Sequence, residues 1–470
     1  MQHIRIGNAA GFWGDSRLAP IELARAGRLD YLTLEYLAEL TMSILAHLKS
    51  RDPEAGYVSD FPDVVRELLP VLHEQPNLGI ITNAGGMNPE ACARKVAEAL
   101  AENGLGSSIV ASVSGDDLLP TLDDNVAGGE PFAHFETGEP LGDVRSRIVS
   151  ANAYLGSDGI VAALAKGARI VVTGRVADAS LTVSPAVHEF GWEPTDWSRI
   201  AAATVAGHLI ECGAQSTGGM YSDWTPAISL ADVGYPIAEI AADGSCVVTK
   251  PEGSGGAVTT GTVAEQLVYE IGDPAHYLTP DVDADFSHVR LEQEGPDRVR
   301  VAGARGNPRP ERYKVSMAYR DGYMAAGTLV IAGRDAANTA RRCGEIVLER
   351  VRRAGLLPER THVEVLGAGD SLPGVSLSIP GDLSAGVATE QGGGSWEVVL
   401  RIAAHDASRE KVERVLREMV PLVTSGPPGV TGYAGSRPKP HPVLAYWPTT
   451  IARDRAVPKV TARTAEEWTQ

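Results

Sequence analysis

Cysteine is scarce in this sequence. Four residues in 470, Cys92, Cys212, Cys246 and Cys343, are scattered without CxxC spacing, which argues against a disulfide framework and a cysteine-rich zinc cluster. No apolar run approaches the roughly 20 residues of a membrane span. The opening MQHIRIGNAAG also lacks the basic-then-apolar layout of a signal peptide. A reducing cytoplasm is therefore the expected location, with no membrane as partner. Basic residues are in the minority, 42 against 60 acidic ones, for a net charge of −18. That sign repels phosphate backbones, so no nucleic acid is expected as partner, while a local basic pocket stays compatible with it. What remains is an ordinary folded composition, 43% hydrophobic and 22% charged, on a chain longer than a single typical core. No internal repeat is visible.

The first third alternates short apolar strands with helical stretches. HIRIG, DYLTLEYL, LGIIT, SSIVASV and ARIVVTG read as strands; residues 20–26, 61–72, 89–103 and 156–166 read as helices. This alternation predicts an α/β fold with a mostly parallel sheet of βαβ units. Ligands bind at the carboxyl ends of such strands, where loops and helix N-termini point one way. That rim gathers Asn8 and Asp15, Glu35, Asn83 with Gly85 and Gly86, Asp116 and Asp117, then Arg175 and Asp178. Asp15, Asn88 and Asp116 are equally good turn or capping residues. Arg175 and Asp178 can simply pair with each other. Glu35 stands apart, because an unpaired carboxylate inside an apolar strand is costly. Residues 123–141 read as a long loop, a lid over a site or an oligomer contact.

The stretch AAATVAGHLIECGAQSTGGMYSDW is the candidate centre. Residues 201–212 predict a helix stopped by Gly213. His208, Glu211 and Cys212 project from one face of its last turn. A loop of small and polar residues follows, with Gln215, Thr217, Gly218 and Gly219 able to bring backbone N–H groups close to a ligand. The bland alternative is a core histidine beside a buried cysteine, with Glu211 on a solvated flank.

From residue 228 the texture turns β-rich. PIAEIAADGSCVVTK predicts a hairpin with Asp243-Gly244 at its turn. In PEGSGGAVTTGTVAEQLVYEIGDP a glycine-rich loop with Gly255, Gly256, Thr259 and Thr260 leads into a helix at about Thr262. A small-residue loop at a helix N-terminus is a generic anion site, though such loops are as often tight turns. Residues 289–301, 313–319 and 322–332 read as strands, with Arg305 and Arg309 in the loop between. The order helix, strand, strand, helix after residue 335 predicts a small α+β unit. The Pro- and Gly-rich tail PLVTSGPPGVTGYAGSRPKPHPVLAYWP predicts irregular structure wrapped over the body. The expected division is an α/β domain at 1–227, a β-rich segment at 228–333 and a smaller α+β domain with its tail at 334–470.

Seven stretches, IGNAAGFWGD, DYLTLEYLAE, ITNAGGMNP, VVTGRVADASL, AGHLIECGAQSTGGMY, GSGGAVTTGTVAEQLVYEIGDP and LVTSGPPGVTGYAGSRP, run in order through nearly the whole chain. Together they resemble the family named for the acyclic terpene utilisation protein AtuA. The resemblance implies a bacterial cytoplasmic protein of branched acyl-CoA catabolism, working alongside biotin-dependent acyl-CoA carboxylases. It also implies a small C-terminal domain in some relatives, which this chain is expected to lack. It supplies no settled reaction.

Three functional classes follow. The first is a lyase or hydratase acting on a branched, terpenoid-type acyl-CoA or carboxylate. His208 and Glu211 would be its acid–base pair and Glu35 or Asp178 a partner. Amides of residues 213–219 and of 83–86 would hold an oxyanion, and the loop 253–262 would receive a phosphate of CoA, the substrate carrier. The second is hydrolysis, with Cys212 as nucleophile and His208 as base; the negative helix C-terminus and Glu211 disfavour its thiolate. A metal-dependent variant would use His208, Glu211 and a further carboxylate, although His-x-x-Glu is a weak signal and no metal ligand is assigned. The third is a non-catalytic acyl-CoA-binding accessory of a carboxylase. Self-association into a homo-oligomer is expected for an enzyme of this size.

Overall fold

Strands covered on both faces are predominantly apolar, and three segments here, Tyr31–Leu34, Gly79–Thr82 and Ile170–Thr173, are buried throughout with a single threonine each. In the computed structural model, which describes residues 3–225, 228–370, 396–432 and 438–470, they lie inside one large mixed sheet. The chain opens with β1 (His3–Asn8), α1 (Ala19–Ala26), β2 (Tyr31–Leu34), α2 (Glu39–Arg51), α3 (Phe61–Glu74), β3 (Gly79–Thr82), α4 (Pro89–Ala101) and β4 (Ile109–Ser114). Next come α5 (Leu122–Ala127), β5 (Ile148–Ala153), α6 (Asp158–Leu164), β6 (Ile170–Thr173), α7 (Ser180–Phe190) and α8 (Trp197–Ile210). The following stretch holds β7 (Ile237–Ala241), β8 (Cys246–Thr249), α9 (Thr260–Val268), β9 (Tyr277–Leu278), β10 (Asp283–Asp285), β11 (Arg290–Gly295), β12 (Arg298–Ala302), β13 (Arg305–Asn307) and β14 (Arg312–Ala332). The chain finishes with α10 (Ala336–Arg353), β15 (Arg360–Leu366), β16 (Glu397–Asp406), α11 (Arg409–Met419), α12 (Leu422–Ser425), β17 (Val430–Thr431), β18 (His441–Ala452), β19 (Lys459–Thr464) and α13 (Ala465–Trp468).

The large sheet runs β11-β12-β8-β7-β1-β2-β3-β6-β4-β19. Its centre is parallel, with Ile6 opposite Tyr31, Thr33 opposite Ile81 and Ile81 opposite Val171. Both flanks are antiparallel: β7 pairs β1 and β19 pairs β4. Residues 1–318 and 446–470 form one compact unit, and 319–445 a second. Segment 228–318 thus assorts with 1–227, because its hairpins extend the sheet from β1. The hairpin β7–β8 turns at Asp243-Gly244 as expected, with Gly244 at φ +91°.

In the first unit the amphipathic α3 lays Phe61, Val64, Val65, Leu68 and Leu72 into the core. The helix α8 is different. From Ile200 to Ile210 nearly every residue is buried, as a helix enclosed on all sides must be. It begins earlier than the sequence suggests and stops at Ile210, so Glu211 and Cys212 lie just past its end. In the second unit, residues 323–332 of β14 pair with β16, which pairs with β15, while α10 and α11 contribute Cys343, Val347, Val412 and Leu416 to the core. This is the helix–strand–strand–helix order read from the sequence.

Three expectations are corrected. The helices α2 and α7 were not foreseen: α2 has almost no amphipathic pattern, and α7 carries an internal Pro185. The expected loop 123–141 begins inside a short helix, α5. The tail holds a 12-residue strand, β18, because Val443, Tyr446, Trp447, Thr449 and Ile451 are strong strand formers that outweigh its two prolines. Residues 371–395, the expected glycine-rich gap, and 433–437 of the tail lie outside the described residues.

Candidate active site

The parallel strands deliver their polar ends to one side, as their pattern requires. Glu35 leaves β2 and is closed off by its neighbours. Leu37 N donates to its Oε1 at 2.9 Å, and Asn83 Nδ2, just past β3, donates to its Oε2. Asn83 Oδ1 in turn accepts from Tyr36 N at 2.8 Å, so Asn83 fixes the Glu35 turn rather than a ligand. Past β6, Arg175 is only 3% exposed. It donates from Nη1 to Leu37 O at 2.6 Å and from Nη2 to Asp178 Oδ1 at 2.8 Å, and Nη1 stands 3.8 Å from Glu35 Oε1. One guanidinium therefore joins two carboxyls. Its flat face lies 4.1 Å from the Tyr154 ring centre, a cation–π contact in a desolvated place. Tyr154 Oη donates to Glu39 Oε1 at 2.6 Å, and Lys314 Nζ donates to the same oxygen at 3.1 Å.

The end of α8 reaches this group because the chain after β1 holds it. Asn8 Nδ2 donates to Ile210 O at 2.8 Å and Glu211 O at 3.0 Å, satisfying carbonyls the helix leaves free. Gly11 packs against the same turn; a Cβ there would stand 2.7 Å from the Cys212 carbonyl carbon, so only glycine permits the approach. Glu211 then faces the cleft with its Oε1 accepting from His208 Nδ1 at 3.1 Å. Its Oε2 is buried with no hydrogen-bond partner among the described residues. His208 sits behind it, 1% exposed, packed on Tyr277 and Phe286 with ring centres 5.6 and 5.7 Å away.

Burial governs the proton affinities. It holds the Glu35 carboxyl well above the usual carboxylate range, with the Asp178 charge adding to the effect and Arg175 opposing it. Asp178 is only partly buried, and that partial loss of solvent with the Glu211 charge brings it up to about 6 against the pull of Arg175. Burial and Glu211 also push the Cys212 thiol up to about 12, so it is protonated at neutral pH. The His208 imidazole loses by burial but gains more from its bond to Glu211 and is raised on balance.

These groups line a cleft of about 820 Å³, a size suited to a small organic ligand. Glu35, Arg175, Asp178, Glu211 and Cys212 are all on its wall. A family model described as acyclic terpene utilisation family protein AtuA matches residues 4–462. The chain belongs to this family. No curated protein and no solved structure matches it. Membership associates the chain with a catabolic role in acyclic terpene utilisation. No helix among the described residues is long and apolar enough to cross a membrane. None of the described residues forms a group of three or more His, Cys, Asp or Glu side chains able to hold a metal ion.

For this family member the other sequence candidates fall elsewhere. His208 is behind the wall, one side chain removed. Asn8 spends its amide on the helix end, as above. Gly85 and Gly86 are packing positions: a Cβ on Gly85 would lie 2.5 Å from Thr173 O, and one on Gly86 would strike Leu45. Gln215, Thr217, Gly218 and Gly219 form the turn after Cys212, where Thr217 Oγ1 donates to Ala214 O at 2.9 Å and Ala257 N donates to Thr217 O at 2.7 Å. Gly255 and Gly256 pack on Asp232 and Thr217. The helix start beyond them is already capped. Thr262 N donates to Thr259 Oγ1 at 3.2 Å, Thr260 N to Gln293 Oε1 at 3.1 Å and Val258 N to Asp297 Oδ1 at 2.8 Å, which leaves those donors engaged before any anion arrives. Asp116 accepts from Asn152 Nδ2 at 2.8 Å and Arg175 N at 2.9 Å, and burial raises it to about 6 as a brace for the loop after β6. Tyr154, Glu39, Lys314 and Tyr277 were missed. They come from segments far apart in sequence, and no local spacing marks any of them.

Proposed function

We propose that this protein is a catabolic lyase or hydratase that adds water to, or removes it from, a branched, terpenoid-type substrate by carboxyl acid–base chemistry. The observation that carries this reading is that Asp178, raised to about 6, and Glu211, whose Oε2 has no hydrogen-bond partner among the described residues, line the same cleft. A general acid works best when its proton affinity lies near the operating pH, and a general base needs an unspent acceptor. In the eliminating direction Glu211 takes a proton from carbon as the C–H bond breaks. Asp178 gives its proton to the departing hydroxyl, so water leaves and a double bond forms. Arg175, fixed by Leu37 and Tyr154, steadies Asp178 once it is ionised. His208 touches no ligand in this reading and acts as a positioning residue for Glu211.

Thiol attack by Cys212 is disfavoured by its high proton affinity. Asp178→Asn and Glu211→Gln are each expected to lower turnover by about 10²–10⁴-fold while the circular-dichroism spectrum stays that of the wild type. Turnover is read as deuterium entering branched hydroxy or unsaturated compounds in D₂O, followed by NMR. Two folded variants with full activity end the assignment.

A further inference from the structure

Elimination by Glu211 and Asp178 leaves one charge without a partner. As a proton leaves carbon, the electron pair of the C–H bond must move onto a neighbouring atom, and a carbonyl oxygen takes it readily only where a donor meets it. The loop amides expected for that task are spent: Gly86 N donates to Asn83 O, Gly218 N to Gln215 O and Gly219 N to Ala214 O. The Arg175 guanidinium is committed to Leu37 O and Asp178. Five tyrosines line the cleft, and three of their hydroxyls are engaged, Tyr154 with Glu39, Tyr269 with Glu270 and Gln215, and Tyr446 with Ser316. Tyr313 stands elsewhere on the wall, its ring centre 4.2 Å from the Arg453 guanidinium.

Tyr277 is the fifth. Its hydroxyl has no hydrogen-bond partner among the described residues and is open to solvent. Its ring is fixed, because β9 pairs Tyr277 with Ala284 and the ring packs on His208 and Phe286 with centres 5.6 and 5.0 Å away. Burial and the charges of Glu211, Asp178 and Glu270 raise the proton affinity of the phenol, so at neutral pH it stays a neutral donor beside the two reacting carboxyls.

We propose that Tyr277 is a catalytic residue of this site, donating its hydroxyl hydrogen bond to the carbonyl oxygen of a branched β-hydroxy carbonyl substrate. This deepens the lyase or hydratase reading and rests on it. Glu211 takes the proton from the carbon next to the carbonyl, and the C–H electron pair moves onto the carbonyl oxygen that Tyr277 holds. The pair then returns to form the double bond as the hydroxyl departs with the proton of Asp178 as water. Tyr277 keeps its own proton throughout.

The test uses the N-acetylcysteamine thioester of 3-methylbut-2-enoic acid, a branched, uncharged carbonyl compound, with the full chain at pH 7. Tyr277→Phe keeps the ring and removes only the hydroxyl. It is expected to weaken calorimetric binding of the thioester by about 2- to 10-fold. Deuterium entry next to the carbonyl in D₂O should slow by about 10²–10³-fold. The carbonyl stretch of the bound thioester, read by isotope-edited infrared spectroscopy, should move to higher frequency as its donor is lost. Because the hydroxyl makes no bond in the fold, the variant should unfold at the wild-type urea midpoint. A variant that does not fold overturns the proposal, as does one that binds and exchanges like the wild type or leaves the carbonyl stretch unmoved. So does a thioester that fails to bind at millimolar concentration. Failure of the lyase reading looks different: the stretch shifts with Tyr277→Phe, yet the wild type exchanges no deuterium, and Tyr277 then stands as a binding donor alone.

Discussion

Replacing Arg175 by Met tests the centre of this arrangement, because the volume is nearly kept while the charge is lost. The change leaves the Leu37 carbonyl without its donor, worth about 1–3 kcal/mol for a buried group. It also leaves Glu35 and Asp178 without the guanidinium. Removing one partner from a buried charge pair commonly costs about 3–5 kcal/mol. Asp178 is 37% exposed in its side chain and is partly screened, so its share falls below that range, and Glu35, held toward its protonated form by burial, adds less than an ionised carboxylate would. Both carboxyls have an escape, since each can take up a proton. Arg175 lowers the proton affinity of both in the wild type, so the variant raises their folded-state pKa further above the unfolded value. For such groups the folded state keeps its full stability below the unfolded pKa and loses it as pH rises through the folded pKa. The expected loss is therefore about 1–3 kcal/mol at pH 5, where Asp178 is largely protonated and the carbonyl penalty remains, and larger at pH 8, where the ionised carboxyl has lost its guanidinium. Urea unfolding followed by tryptophan fluorescence measures it. Six of the seven tryptophans, all but Trp396, lie in the unit that holds Arg175. A loss that is the same at both pH values, or larger at pH 5, refutes the reasoning that Arg175 holds the charge of these carboxyls.

Two further outcomes are expected. His208→Leu removes the donor to Glu211 Oε1 and should cost about 1–3 kcal/mol in urea unfolding; a variant as stable as the wild type would show that the histidine does not hold Glu211. Cys212 should remain unalkylated by iodoacetamide at pH 7 in the native protein and react once it is unfolded, as read by mass spectrometry, because its thiol is raised to about 12. Rapid native labelling at this position would return thiol chemistry to consideration.

Much of the scaffold was legible in the linear chain. The five short apolar strands and the turn at Asp243-Gly244 are local signals, set by side-chain period and by which residues tolerate positive φ. Because parallel strands end on one side, the convergence of Glu35, Arg175 and Asp178 could be read before any coordinates. Glu211 was found through its helix. What the chain alone could not settle was which polar groups were already spent. Asn8, Asn83, Thr259 and the glycines of two loops have the residue types of a binding site. Their hydrogen bonds or close packing go to partners up to about 200 residues away in sequence, as in the bond of Asn8 to Glu211 O, at a separation of 203. Whether an amide serves a helix end or a ligand is decided by what the tertiary fold places within 3 Å of it. The same holds for His208: the sequence put it one turn from Glu211, and only the packing of Tyr277 and Phe286 turned it from a wall residue into a support.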